Sequence, residues 1–323
     1  MFVLLIITAA VYDFLNGFHD SSNIVATVIS SRALKPRTAL SMTAAAEFAA
    51  PFIFGTAVAQ TIGNDLLISS AITWQVVVAA TLAAVIWNLF TWWVGMPSSS
   101  SHALVGGLVG AAISSNGVEV IQWYGLVNVV IALFISPPLG MLIGFIGFRL
   151  VLFLWQGSGP RANLAFRRLQ VPTSLILALA HGTNDSQKTM GIITLGLMAE
   201  GLIREFQVQT WVIALSAAAL SLGTALGGWR LIRTLGGKVY KIRPVHSFTS
   251  QTAATLVVLG ATILGGPVST TQVVGSAIIG AGAAERLSKV RWQIARDILA
   301  TWLITIPSSA LVSALVFQAL VRL

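Results

Sequence analysis

Long stretches without any charged residue constrain this chain more than any other feature of its sequence. No Asp, Glu, Lys or Arg occurs in 66–118, 120–148, 206–229, 244–284 or 298–321. Each stretch is at least as long as the roughly 20 apolar residues that a helix needs to cross a bilayer. Only 9% of the 323 residues are charged, whereas soluble domains carry about 25%. The sequence therefore excludes an aqueous globular enzyme and predicts an all-α, polytopic integral membrane protein.

The basic residues predict which helix ends face the cytoplasm. Most of them fall in four clusters: Arg32, Lys35, Arg37; Arg149, Arg161, Arg167, Arg168; Arg230, Arg233, Lys238, Lys241, Arg243; and Arg286, Lys289, Arg291, Arg296. By the positive-inside rule these clusters are cytoplasmic, so the net charge of +9 indicates topology and no nucleic-acid partner. We expect a multi-pass protein of the inner or plasma membrane with both termini outside. The apolar run 1–12 then begins a first span and is not a cleaved signal peptide. The absence of cysteine excludes disulfides and thiol catalysis.

The two halves of the chain resemble each other. At a spacing of 165, Gly17, Asp20 and Ser21 match Gly182, Asp185 and Ser186. At 168, 55–57 matches 223–225, and at 170, Pro97, Ser99, Ser101, Gly110 and Pro137 match Pro267, Ser269, Thr271, Gly280 and Pro307. Each half has three predicted crossings and one excursion, 71–115 or 248–284, so the halves insert in opposite orientations.

Inverted repeats with broken or re-entrant helices are typical of secondary transporters, whose sites lie near the bilayer midplane. We predict a first inverted repeat at 1–150, a basic cytoplasmic connector at 151–170 and a second inverted repeat at 171–323. Chance matching of small residues in an apolar sequence is the alternative. The length of 71–115 leaves open whether it forms two full spans or a span with a re-entrant helix.

Two polar segments, 16–23 and 181–188, interrupt apolar helices. Each contains an acid at matched depth, Asp20 or Asp185, and a charge at the bilayer centre costs at least about 2.5–3.5 kcal/mol on insertion scales. Glycine and asparagine weaken both segments as helices. We therefore expect local unwinding that frees backbone carbonyls for a cation. An interhelical hydrogen-bond cluster is the structural alternative.

The predicted spans contain further polar residues, of which two have candidate roles. Glu47 is a buried acid in the charge-poor span 38–63 and a candidate for cation or proton coupling. Lys188 could neutralise the acids, attract an anion or form a structural pair with an aspartate. No role is predicted for Asp13, His19 or His181.

A second pair of segments, 95–102 and 265–272, places Gly and Pro before runs of Ser and Thr. Ser or Thr stands there at predicted helix N-caps. A helix start offers unpaired backbone N–H groups and the positive end of the helix dipole, to which the hydroxyls add further donors. The two segments therefore predict an anion site without a fixed cation. Capped surface loops are the alternative.

The anion site and the buried acids together predict cotransport. Carboxylates repel an oxyanion unless cations or protons lie between them. An anion entering a negative-inside cell also works against about 2.3 kcal/mol per charge per 100 mV, which an accompanying cation offsets.

The chain resembles the inorganic phosphate transporter (PiT) family, which includes sodium–phosphate cotransporters. The likeness lies in 17–23 with 26–27, in 180–191, in 97–106 and in 266–271, four motifs in order over nearly the whole chain. The resemblance implies phosphate uptake with a cation, sodium or proton, and no other cofactor. It implies that phosphate is cradled by the hydroxyls of Ser99, Ser100, Ser101, Ser269, Thr270 and Thr271, with Ser21 and Ser186 lining the same cavity. It assigns the cation, including any sodium ion, to Asp20, Asn23, Asn184 and Asp185.

The chain departs from the family pattern at three places. Segment 97–101 reads Pro-Ser-Ser-Ser-Ser where the family usually has Val or Ser followed by Ser-Thr-Thr or Ser-Ser-Ser, a mild change that keeps the hydroxyls. Gln272 stands where the first half has His102, and the 149–170 connection lacks the large insertion of animal members. The short connection points to a bacterial or archaeal type and leaves the coupling ion open. The basic loops suit membrane lipid headgroups and, less well, a cytoplasmic regulatory protein. A homo-oligomer is left open.

The same features also fit two rival functions, a sulfate or related oxyanion permease on the same scaffold and an anion channel. A membrane-embedded enzyme is disfavoured because no His-Glu-x-x-His spacing occurs.

Overall fold

The structure, a computed structural model, describes residues 2–68, 71–96, 98–157, 161–229, 232 and 242–322. Over these ranges the chain forms eleven α-helices: α1 (Phe2–Ser30), α2 (Pro36–Phe54), α3 (Ala57–Asn64), α4 (Trp74–Val94), α5 (Ser100–Asn116), α6 (Trp123–Leu154), α7 (Arg161–Ala199), α8 (Thr210–Leu226), α9 (Pro244–Ile263), α10 (Thr270–Glu285) and α11 (Trp292–Val321). The all-α prediction is confirmed. Arg230, Arg233, Lys238 and Lys241 of the third basic cluster lie outside the described residues, as does Pro97.

Four described helices are long and apolar enough to cross a membrane: Phe2–Ser30, Trp74–Val94, Trp123–Leu154 and Leu299–Val321 within α11. Helices α2 and α3 together pass the same test but meet at a bend of 76°. Gly55 lies at the bend with a φ of +79°, a conformation that side chains with a Cβ rarely adopt. The span predicted at 38–63 is therefore broken at this glycine.

Two further breaks lie where the sequence places its Gly/Pro and hydroxyl segments. Helix α4 ends before Gly95, whose φ is +81°, and α9 ends shortly before Gly265, whose φ is +73°. The next helices begin at the predicted caps. The Ser99 hydroxyl accepts a hydrogen bond from the His102 amide at 3.1 Å, and the Ser269 hydroxyl accepts one from the Gln272 amide at 3.4 Å. The prediction of broken helices is confirmed.

The expected unwinding of the two polar segments is wrong. Helix α1 continues through 16–23 and α7 through 181–188. Gly17 and Gly182 serve helix contact instead: a Cβ at Gly17 would meet the Leu220 carbonyl of α8, and one at Gly182 would lie 2.6 Å from the Glu47 Cα of α2. The glycines therefore allow neighbouring backbones to approach, and tertiary packing overrides their low helix propensity.

The helices pack in reciprocal pairs between the halves. Helix α1 packs against α8 and α7 against α2, while α5 packs against α11 and α10 against α6. Each short helix after a break thus lies on a long helix of the other half. Helix α7 begins at Arg161, so the predicted connector 151–170 is helical over much of its length. This arrangement brings the starts of α5 and α10 to the middles of α1 and α7.

Candidate functional site

A buried polar cluster forms where the starts of α5 and α10 meet α1 and α7. Its side chains are all at most 3% exposed, and they are Asp20, Asp185, Lys188, Ser100, Ser101, Thr270 and Thr271. The structure thus brings together both predicted aspartates and four of the eight predicted hydroxyls. Charged side chains are almost never fully buried unless they are paired, so their partners decide what the cluster can do.

Asp20 in α1 accepts hydrogen bonds from both short helices. The Ser100 hydroxyl, whose single proton is shared with Asn16, lies 3.2 Å from Oδ2, and the hydroxyl of Thr271 donates to Oδ1 at 2.8 Å. The Thr271 hydroxyl in turn accepts from Asn23 Nδ2 at 2.9 Å. His19 Nδ1 lies 2.9 Å from Asp20 Oδ1. One carboxylate therefore joins hydroxyls that come from opposite halves of the chain.

Asp185 in α7 has a different set of partners. The hydroxyl of Thr270 donates to its Oδ2 at 3.0 Å. Lys188 forms a buried ion pair with its Oδ1. The Lys188 ammonium also donates to Ser101 Oγ at 2.6 Å and to the Val268 carbonyl at 2.8 Å. The two aspartates thus share the hydroxyl contact, but among the described residues only Asp185 has a lysine or arginine as a partner.

His181 connects the acids, although no role is predicted for it from the sequence. Its Nε2 lies 2.7 Å from Asp185 Oδ2 and 3.9 Å from Asp20 Oδ2, while its Nδ1 lies 2.7 Å from Glu47 Oε1. One ligand atom each from Asp20, His181 and Asp185 lies within 4.8 Å of the others, close enough for them to hold one cation. The spacing of His181 and Asp185 by four residues on one helix face was the available signal.

The two predicted asparagines lie in different places. Asn23 belongs to the Asp20 network, whereas Asn184 stabilises the break between α9 and α10. Its Nδ2 donates to Thr262 Oγ1 at 2.8 Å and to the Gly266 carbonyl at 3.3 Å, and its Oδ1 accepts from the Val268 amide at 3.2 Å. Asn184 therefore positions the Val268 carbonyl that contacts the Lys188 ammonium.

Four predicted hydroxyls make other bonds in this structure. Ser99 and Ser269 are the N-caps of α5 and α10. Ser21 donates to the Phe18 carbonyl and accepts from the Gly228 amide, both at 2.9 Å. Ser186 donates to the carbonyl of Gly182 at 2.5 Å within its own helix. The structure therefore does not bring Ser21 and Ser186 into hydrogen bonds with the aspartates or the helix starts.

Several residues in or next to the cluster are not predicted from the sequence. Asn16 Oδ1 accepts from the Ser100 hydroxyl at 2.5 Å, and the Tyr12 hydroxyl donates to the Ser100 carbonyl at 3.2 Å. Asp13 is fully buried and accepts from the Thr189 hydroxyl at 2.5 Å. Asn16 and Tyr12 thus contact the cluster, and Asp13 contacts the residue after Lys188. These contacts join helices far apart in sequence, so no local pattern reports them.

The arrangement combines donors for an anion with oxygens for a cation. The first turn of a helix leaves backbone N–H groups without partners inside the helix, and two such turns converge here beside the hydroxyls. The carboxylates, hydroxyls and the Val268 carbonyl are oxygen ligands of the kind that hard cations take. The geometry thus provides for an oxyanion and a cation at adjacent positions.

Comparison with known proteins identifies related chains. A sequence model described as the phosphate transporter family matches residues 16–313. A probable low-affinity inorganic phosphate transporter of Rhizobium meliloti (strain 1021) is 43% identical, over 99% of this chain and 96% of its own. One of Bacillus subtilis (strain 168) is 41% identical, over 98% of this chain and 96% of its own. A solved structure titled "The sodium-dependent phosphate transporter" has the same fold, with a TM-score of 0.92 at 23% identity over 100% of this chain and 99% of its own.

Proposed function

Because the chain belongs to the phosphate transporter family, we propose that it imports inorganic phosphate together with a cation, sodium or proton, by alternating access. Family membership confirms the resemblance found in the sequence and makes the chain a phosphate transporter of the multi-pass membrane type. We propose the inward direction, the coupling to a cation and alternating access from the geometry of the buried cluster.

The contacts of Asp20 carry this proposal. The Asp20 carboxylate, a proposed cation ligand, accepts hydrogen bonds from the hydroxyls of Ser100 and Thr271 at the two helix starts. Each proposed anion-binding helix start is therefore one hydrogen bond away from the cation ligand. Phosphate binding at the helix starts therefore changes the hydrogen-bond partners of the cation ligand Asp20, and cation binding at Asp20 changes those of the helix-start hydroxyls. In the proposed site, phosphate contacts the hydroxyls and first-turn amides of Ser99–Ser101 and Ser269–Thr271. The cation contacts Asp20 and Asn23, and Glu47 and Asp185 lie beside it through His181. Asn184 supports the site by holding the break between α9 and α10.

The reciprocal packing of the halves supports alternating access. Each short helix is held between helices of both halves, α5 against α4 and α11, and α10 against α9 and α6. A rocking motion of one inverted repeat against the other would move the two helix starts in opposite senses around the aspartates. Each repeat would then open the cluster to one side of the membrane in turn.

The experiment is uptake of radioactive phosphate into proteoliposomes, with sodium and proton gradients imposed separately. We expect one gradient to drive accumulation above equilibrium. Asp20→Asn and Asp185→Asn should abolish driven uptake while membrane insertion is retained. Normal driven uptake by both variants would refute the cation site.

Competition in the same assay separates the substrates and the transport classes. Arsenate, which has the shape and protonation of phosphate, should compete, and sulfate in equal excess should not. Strong competition by sulfate would instead indicate a general oxyanion permease. Uptake that ignores every cation gradient and does not saturate would indicate an anion channel.

A further inference from the structure

We infer that the Lys188 ammonium occupies the second half's counterpart of the cation position beside Asp20, so that this transporter carries one of its cations as part of its own chain. The inference rests on the proposed cation-coupled transport and concerns how many cations accompany each phosphate. It starts from a residue that the repeat pairs with Asn23.

Asn23 and Lys188 hold the same place in the two halves. Each lies three residues after its aspartate on the same helix, and the spacing between them is the 165 that relates Asp20 to Asp185. Each donates a hydrogen bond across the molecule to the short helix of the other half. Asn23 donates to Thr271 and Lys188 donates to Ser101.

The acceptors Thr271 and Ser101 also match in the repeat. They are separated by 170, the spacing of the other matches in this region, and each is the second residue of its helix. The two networks are therefore the same in outline. They differ in one respect: the first contains a neutral amide, whereas the second contains a positive charge.

The surroundings of the Lys188 ammonium are those of a small cation site. Its partners are one carboxylate oxygen of Asp185, the hydroxyl oxygen of Ser101 and the backbone carbonyl of Val268. A lysine ammonium has three donors, and these three oxygens satisfy all of them. The side chain is 1% exposed, so the charge has no access to water. The same oxygens would bind a free monovalent cation if the ammonium were removed.

The ammonium neutralises Asp185 permanently. In the first half, by contrast, the partners of Asp20 are hydroxyls and imidazoles, and the charge of its carboxylate is not balanced by a fixed basic side chain within the described network. A mobile cation or proton is therefore required beside Asp20, and none is required beside Asp185. Transport should use one cation fewer per phosphate than a chain with asparagine at both places.

The test compares Lys188→Asn with the wild type in proteoliposomes. Lys188→Asn makes the second network match the first and vacates the cation position. Radioactive phosphate uptake and the transport current on a supported membrane are measured together, and their ratio gives the charge moved per phosphate. We expect this ratio to rise by one elementary charge in sodium medium. Lys188→Gln is the matched control, because glutamine removes the charge but still fills the position. We expect this variant to lose transport, and sodium should not restore it.

A second measurement covers the case in which Lys188→Asn does not transport. The thermal stability of the purified variant is measured in sodium, lithium, potassium and choline chloride. We expect at least one of the metal ions to raise its Tm over the choline value more than it does for the wild type. An unchanged charge ratio would overturn the inference, and so would a transport-inactive Lys188→Asn without this additional cation stabilisation. If wild-type uptake itself ignores every cation gradient, the proposed function fails first, which separates the two outcomes.

Discussion

The hydroxyl of Thr271 offers the sharpest test of the site, because it joins two polar side chains. It donates to Asp20 Oδ1 at 2.8 Å and accepts from Asn23 Nδ2 at 2.9 Å. Thr271→Val keeps the shape of the side chain and removes both bonds. A hydrogen bond to a charged group contributes about 1.5–3 kcal/mol, and the amide donor of Asn23 is left buried without this partner. In the proposed site the same hydroxyl contacts phosphate, and the loss of one such charge-assisted bond to the ligand corresponds, at 1.4 kcal/mol for each factor of ten, to about a 10- to 150-fold loss of affinity.

The assay is the initial rate of phosphate uptake over a matrix of phosphate and cation concentrations. We expect Thr271→Val to raise the KM for both ligands by a factor in that range, since the hydroxyl contacts the proposed anion site and the proposed cation ligand. Thr271→Ser, which keeps the hydroxyl, should stay within a few-fold of the wild type.

Thr249→Val is the matched control. Thr249 is similarly buried, and in the described part of the chain its hydroxyl bonds only to the Val245 carbonyl one turn earlier in its own helix. Its uptake kinetics should be nearly unchanged. If Thr271→Val kept wild-type KM values for both ligands, or if Thr249→Val reproduced its defect, the Thr271 network would have no part in binding.

Two further variants test the acid and the glycine at the contact of α2 with α7. Glu47→Gln removes a carboxylate that lies 2.7 Å from His181 Nδ1. The loss of a charged contact worth about 1.5 kcal/mol or more should slow uptake at saturating phosphate by about tenfold. Wild-type uptake rates across a pH series would contradict a coupling role for Glu47. Gly182→Ala should lower the Tm of the purified protein by several degrees, since the new Cβ would lie 2.6 Å from the Glu47 Cα and overpacking costs about 1–3 kcal/mol. At Gly260, no atom of the described residues beyond its own helical turn lies within 4 Å of a new Cβ, so Gly260→Ala should leave the Tm equal or slightly higher. Equal Tm values for both variants would show that the α2–α7 contact can relax.

Much of the fold follows from features that are local in the sequence. Charge-free stretches predict spanning helices because a helix needs about 20 consecutive apolar residues to cross the hydrocarbon core of a bilayer. The positions of Ser99 and Ser269 predict helix starts because a hydroxyl at an N-cap satisfies an amide that the helix leaves free. The repeat then predicts that Asp20 and Asp185 lie at matched places, and both lie in the cluster.

Features that depend on distant contacts could not be predicted in this way. Gly17 and Gly182 looked like weak points of their helices, yet each lies against the backbone of another helix. The contact of His181 with Glu47 joins residues 134 positions apart, and only packing of α2 on α7 produces it. Gly55 and Gly223 match in the repeat, but the first ends a helix and the second lies inside one. Sequence similarity between the halves therefore locates the site more reliably than it predicts local backbone shape.

The charges at the centre of the molecule give a physical reason for coupled transport. Asp13, Asp20, Asp185 and Glu47 are buried, and Lys188 is the basic side chain among them in the described structure. This leaves three negative charges unless an acid or an adjacent histidine is protonated. Phosphate adds one or two more negative charges, and in a medium of low dielectric constant each further charge of the same sign is strongly repelled. Anion binding at the helix starts therefore requires the entry of positive charge, as metal ions or protons, into the same buried volume. Coupling then follows from the charge balance of the site, because an anion that arrives alone faces carboxylates and one that arrives with cations does not.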